Sequence, residues 1–274
     1  MKAAESDRLK DRYARLFDRT SKSHDLVGGL FGHFGSLLAE SVGLRPGDRV
    51  LDLAAGTGAS LVPAARLVGT KGHVVGVDLA PGMVSELDRI IERAGIENAV
   101  ALVADAEELP FGDGTFDAVL CGFGLFFFPD PDRGLKEACR ILRPGGAIAL
   151  STFTRDGSAT MDRIWQRIGE CLPVPPSAPD ELRFHDPTRL SQALESAGFV
   201  STRIEVSPFE LLLPGIDAWL GWLRSMEFGD YVDRMDAEQL ERFTSTTVAD
   251  FADRPLPHVM RLRMDALMTR AHRR

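Results

Sequence analysis

A chain of 274 residues with 44% hydrophobic content is long enough to bury one large α/β core, alone or with a smaller lid. Its net charge of −8 argues against a polyanionic partner, because phosphate backbones are held mainly by Lys and Arg; nucleic acid is therefore not expected, although "RLRMDALMTRAHRR" at the C-terminus is locally basic. Cys121, Cys139 and Cys171 are widely spaced and form no C-x-x-C pair. They suggest neither a disulfide framework nor a metal site, and a reducing cytoplasm is the expected setting.

The N-terminal "MKAAESDRLKDRYARLF" is charged and helical in pattern, without the apolar core of a signal peptide. No later run approaches the roughly 18 apolar residues of a membrane span, so no membrane partner is expected. Residues 1–45 read as a helical cap. From there strands and helices alternate: "DRVLDLAA" (strand), "GASLVPAARLVG" (helix), "GHVVGVDLA" (strand) and "PGMVSELDRIIERAG", a helix with proline in its first turn. "AVALVADAE" and "FDAVLCGFG" are strand-like, "DPDRGLKEACRIL" is helical, and "GGAIALSTF" is a strand after the "RPGG" turn.

Continuous Val/Leu/Ala strands between helices predict a Rossmann-like, seven-stranded, mostly parallel sheet covered on both faces, with its ligand edge at the strands' carboxyl ends. Beyond it come a helix, "ATMDRIWQRIGECL", the proline-rich "PVPPSAP", a second helix, "PTRLSQALESAG", and a strand, "VSTRIEVS". From Met260 to Met268, apolar Met260, Leu262, Met264, Ala266 and Met268 alternate with the intervening residues. That is the period of a half-buried strand, here expected to be the last and antiparallel. The core then comprises residues 46–213 and 258–274, and residues 214–257 form a helical lid insertion holding "IDAWLGWLRSM" and "DAEQLERFTSTTVADFA".

"RVLDLAAGTGAS" carries the chemistry. A dinucleotide fold uses G-x-G-x-x-G so that backbone approaches a pyrophosphate. Here Gly56 and Gly58 are present, Ala54 stands where an earlier glycine could be, and Leu61 occupies the third glycine position. Asp52 would face the phosphates, and like charge is unfavourable there. A phosphate-free ligand with an ammonium and a sulfonium group near its carboxylate fits better, and S-adenosylmethionine has this distribution. Asp78, ending "VVGVD", could accept from two ribose hydroxyls. Asp105, ending "ALVAD", could accept from the adenine amino group beside the backbone of Ala106, with Leu79 and Met83 packing the ring.

These stretches resemble the class I S-adenosylmethionine-dependent methyltransferases, particularly the ubiquinone and menaquinone biosynthesis type and its natural-product relatives. "VLDLAAGTG", "VVGVDLAPGM", "VADAEELPFGDGTFDAVLCGFGLFFFPD" and "EACRILRPGG" occur in family order over about Pro46 to Thr152. The resemblance implies that Asp52, Ala54, Gly56, Thr57 and Gly58 surround the methionine part and Asp78 the ribose. It places Asp105 and Ala106 at the adenine, and Cys121, Gly122 and Phe123 near the transferable methyl group. Two departures stand out: Ala54 where glycine is common, and His24 in "SKSHD" where relatives often show tyrosine.

Alternatives remain beside these assignments. Asp105 could be a helix N-cap; "GFGLFFFP" could be core or ligand edge; Trp219, Trp222 and Leu223 make a face that suits either core or pocket. His24 and His33 could serve as general bases for a hydroxyl acceptor or be structural. Glu170 lies opposite the apolar face of its helix and is a base only if that side turns to the pocket. The expected function is methyl transfer to the carbon or oxygen of a small, largely apolar metabolite such as an isoprenoid, a quinone-like ring or a polyketide. Rival readings are a nicotinamide-dependent oxidoreductase and a cyclase that binds the donor without methylating. A homo-oligomer is left open.

Overall fold

The computed structural model describes residues 3–24, 29–172, 184–251 and 259–274. The proline-rich "PVPPSAP" and the start of the glycine-rich segment after His24 lie outside them. Two helices, α1 (Ala3–Thr20) and α2 (Leu30–Ser41), precede the alternating region of β1 (Arg49–Leu53), α3 (Leu61–Val68), β2 (His73–Asp78), α4 (Pro81–Arg93), β3 (Ala99–Val103), β4 (Phe116–Gly122), α5 (Pro131–Ile141) and β5 (Leu142–Phe153). Then follow α6 (Arg155–Cys171), α7 (Pro187–Ser196), β6 (Phe199–Ser207), β7 (Glu210–Pro214), α8 (Gly215–Arg224), α9 (Gly229–Val232), α10 (Ala237–Phe251), β8 (Val259–Arg263) and β9 (Ala266–Arg273).

The seven-stranded sheet has the order β3-β2-β1-β4-β5-β9-β6. Strands β1 to β5 pair in parallel, and β9 runs antiparallel between β5 and β6. Apolar runs such as Val50 and Leu51 or Val119 and Leu120 are buried because helices cover both faces. Strand order reverses between β1 and β4, so the loops after these strands diverge and open a crevice at their carboxyl ends.

The C-terminal segment differs from the single strand expected over Met260–Met268. It divides at Met264 and Asp265: β8 pairs with β7 in a separate two-stranded ribbon, while β9 enters the main sheet. Asp265 is the cause of the break. Its buried carboxylate pairs with Arg263 and accepts from the Phe209 N–H at 3.2 Å, and its carbonyl accepts from Thr154 N at 3.0 Å. Inside the sheet β9 is covered on both sides, so Leu267 and Thr269, expected on an outer face, are buried as well. Trp219, Trp222 and Leu223 are core: all are buried, and Trp219 lies 5.2 Å from the Phe243 ring.

Candidate active site

The crevice widens into a cavity of about 1350 Å³, counting the space at its mouth.

Its floor is the loop after β1. Asp52 is 1% exposed and stands next to last in β1, between buried Leu51 and Leu53, and its carboxyl belongs to the cavity wall. One oxygen, Oδ2, is buried with no partner. Burial pushes this carboxyl up to about 8; the Leu61 N–H works against that, and nearby Asp78 adds to it. A buried orphan carboxyl beside a backbone turn suits a ligand that brings its own cation. A pyrophosphate would meet it with like charge.

The turn itself needs left-handed backbone. Gly56 has φ 53° and Gly58 φ 88°, conformations that glycine adopts without a Cβ penalty. Ala54, where relatives commonly have glycine, adopts φ 50° nonetheless, and so does Phe123 at φ 52°. Gly124 accommodates the first of these, since a Cβ on it would lie 2.5 Å from that of Ala54.

Asp78 ends β2. Its Oδ2 accepts from Gly56 N at 2.9 Å and its Oδ1 from Ala80 N at 2.9 Å. Burial raises its pKa, and those N–H groups oppose the rise. Each oxygen keeps a further lone pair for a hydroxyl donor. Leu79 and Met83 line the same side.

Asp105 Oδ1 accepts from Glu107 N at 2.8 Å, closing a local turn, and its Oδ2 accepts from Lys10 Nζ at 2.7 Å. No helix follows, so the N-cap alternative does not hold. Lys10 also pairs with nearly buried Glu107 at 2.6 Å. Burial disfavours the ammonium, but the two carboxylates outweigh it and raise its pKa. The structure thus gives Asp105 a protein partner that sequence reading did not anticipate, while leaving it in the cavity wall with Ala106.

Thr57, Gly122 and Phe123 also line the cavity, but Gly58, Cys121, His33 and Glu170 are not brought to it. Gly58 lies beneath the loop, against Leu87. Cys121 faces the core, where burial pushes its thiol up to about 12. His33 is exposed on α2, 4.9 Å from the Phe209 ring. Glu170 is on the outer side of α6, paired with Arg167 at 2.9 Å. The apolar face expected for that helix is the buried one, and Glu170 remains opposite it.

His24 does reach the cavity. It stacks on Phe31, 4.8 Å between ring centroids, and burial pushes its pKa down to about 4 against the pull of the Ser225 carbonyl. The imidazole is therefore neutral at physiological pH. The aromatic run is divided: Phe126, Phe127 and Phe128 face the cavity, whereas Leu125 is core.

Two contributions escaped sequence reading. Lys10, Tyr13, Ala14 and Phe17 from α1 form part of the wall; their i, i+3, i+4, i+7 spacing is the readable signal. Glu227, between α8 and α9, is 8% exposed and also faces the cavity. Its burial pushes the carboxyl up to about 7, against its own backbone N–H. The signal was a lone acid inside the apolar "SMEFG".

A parallel sheet with an antiparallel strand inserted beside its last parallel neighbour, and a nucleoside-sized crevice ringed by carboxylates, define an S-adenosylmethionine-dependent methyltransferase of class I. The orphan oxygen of Asp52, the glycine turn and the spare lone pairs of Asp78 fit that cofactor. A sequence profile of the ubiE/COQ5 methyltransferase family matches residues 11–174, and the chain belongs to this family. It is 31% identical over 212 residues to a ubiquinone/menaquinone biosynthesis C-methyltransferase of Teredinibacter turnerae, covering 70% of this chain and 85% of that relative. The corresponding protein of Shewanella baltica is 30% identical over 217 residues, covering 72% and 86%. Among solved structures, YcgJ of Bacillus subtilis matches with TM-score 0.61 at 17% identity over 88% of this chain and 99% of that one. The [4+2]-cyclase SpnF matches with TM-score 0.54 at 20% identity over 88% and 80%. These two likenesses concern the fold.

Proposed function

We propose that the enzyme methylates a ring carbon of a small, apolar, hydroxylated aromatic acceptor of quinol type. The observation that carries this reading is the apolar part of the cavity wall. Phe31, Phe123, Phe126, Phe153, Met161 and Met226 present rings and thioethers to the cavity, a surface suited to a flat apolar ring. The relatives named for quinone biosynthesis favour this acceptor over a polyketide or isoprenoid.

When bound, S-adenosylmethionine supplies a methyl group activated by its sulfonium sulfur. The chain's contribution is to hold the two partners aligned and to exclude water. In this reading Asp52 meets the ammonium group, Asp78 the ribose and Asp105 the adenine, while residues 1–45 act as a cap and residues 214–257 as a lid. The three free cysteines support a reducing, cytoplasmic setting, and the charge of −8 supports a small-molecule acceptor over nucleic acid. Among the described residues no helix is long and apolar enough to cross a membrane.

The test is incubation with methyl-deuterated S-adenosylmethionine and a panel of naphthols, prenylated phenols and reduced quinones. The expected product carries the label on a ring carbon and keeps its hydroxyl free to be acetylated. Label found only on oxygen would replace this reading by O-methylation.

A further inference from the structure

Beside the main cavity lies a second pocket of about 630 Å³. The first is lined largely by aromatic and aliphatic groups, whereas the second is bordered by Arg12, Arg15 and Arg19 of α1 and by Asp230 and Tyr231 of α9. Tyr13, Phe127 and Glu227 line both. Of these three, Glu227 is the one with a carboxylate.

We propose that Glu227 is a catalytic base standing in the partition between the two pockets, taking the hydroxyl proton of the acceptor from the apolar side and passing it to water on the polar side. This rests on the phenolic-acceptor reading above. The acceptor's O–H bond breaks and its electron pair stays on oxygen, from which it enriches the ring carbons. A new O–H bond forms on a carboxylate oxygen of Glu227. That proton then leaves to solvent, balancing the one proton that the overall methylation of a phenol releases.

The other titratable groups in reach are less suited to this step. His24, held neutral with a pKa near 4, is too weak a base for a phenol. Asp52 is given to the cofactor's ammonium group in the reading above, Asp78 is fixed by two backbone N–H groups, and Asp105 and Glu107 are engaged by Lys10. On the polar side Arg19 pairs with Asp230, and Arg12 donates to the Tyr231 hydroxyl at 3.4 Å. Arg15 lies on the exposed side of α1. A carboxyl pushed up to about 7 by burial has the basicity that general-base chemistry near neutral pH requires.

The test uses 2-naphthol as a fluorescent phenol bound to the full chain with S-adenosylhomocysteine, comparing wild type with Glu227→Gln. In a dry cavity excited naphthol loses its proton only to a base within hydrogen-bond reach. At pH 8 the wild type should show naphtholate emission and the variant emission from neutral naphthol, with S-adenosylhomocysteine affinity within about twofold by calorimetry as evidence of an intact fold. Where 2-naphthol is methylated, wild-type single-turnover rates should fall on the acid side of pH 7, while those of Glu227→Gln should be roughly 100-fold lower or less and without that limb. Naphtholate emission persisting in Glu227→Gln would overturn the proposal. Failure of 2-naphthol to bind either protein, with S-adenosylhomocysteine still bound, would instead overturn the phenolic-acceptor reading.

Discussion

Gly56 and Asp78 are joined by a hydrogen bond of 2.9 Å, from the glycine N–H to Oδ2 of the carboxylate. It ties the turn after β1 to the end of β2, so two strands place one binding surface. The same bond opposes the rise that burial imposes on the Asp78 pKa. The turn and the carboxylate should therefore respond together to mutation and to pH.

Asp52 gives the clearest pH dependence. Its pKa rises from 3.8 to about 8 on folding, so between those values the folded state binds the extra proton. Its contribution to stability is full below pH 4 and declines as pH rises toward 8. Asp52→Asn should remove this loss and stabilise the ligand-free protein at pH 7 by roughly 3–5 kcal/mol, at 1.36 kcal/mol per pKa unit, as read from urea unfolding at pH 5 and 7. A variant no more stable than wild type at pH 7 would show that the carboxyl is not held protonated.

The same residue links pH to affinity. A ligand carrying an ammonium group prefers ionised Asp52, so S-adenosylhomocysteine should bind more tightly as pH rises from 6 to 8, by up to about tenfold per unit. Asp52→Asn should bind weakly and with little pH dependence. Calorimetric titrations at three pH values measure both.

Backbone strain at the turn is testable by exchange in both directions. Ala54 sits at φ 50°, a conformation costing a non-glycine residue about 1–2 kcal/mol, partly offset in glycine by its freer unfolded chain. Ala54→Gly should thus raise stability by about 0.5 kcal/mol. Gly58→Ala combines φ 88° with a Cβ 2.5 Å from Leu87 Cδ1 and should cost roughly 2–4 kcal/mol. Thermal melts of the two variants should shift in opposite directions.

Lys10 anchors α1 across the cavity. Lys10→Met leaves Glu107, which is 2% exposed, without its cation, and should destabilise by roughly 2–3 kcal/mol, below the value for a fully buried pair because Lys10 is partly exposed. Hydrogen exchange should quicken in α1 ahead of the sheet. Uniform quickening throughout the molecule would contradict this local role.

Much of this was legible in the sequence because the central strands carry their own signals: apolar runs ending in Asp52, Asp78 and Asp105, each at the edge where a parallel sheet binds ligands. What was not legible depended on tertiary choices. The alternation from Met260 to Met268 spelled extended backbone but not the change of sheet at Asp265, which buried pairing with Arg263 and Phe209 decides. His33 and His24 looked equivalent in one glycine-rich segment, yet α2 presents His33 to solvent while His24, in the turn after α1, packs on Phe31 at the cavity. Glu170 lies on α6 and Glu227 between α8 and α9, and their spacing in the sequence does not show which of the two acids the cavity receives.

The most direct measurement is calorimetric binding of S-adenosylhomocysteine to wild type and to Asp78→Ala at pH 7.5. Two charge-assisted hydrogen bonds of roughly 1.5–3 kcal/mol each predict a loss of about 100-fold or more, with the rest of the fold retained by circular dichroism. Equal affinity in the two proteins would mean that the carboxylates at the ends of these strands do not hold the cofactor.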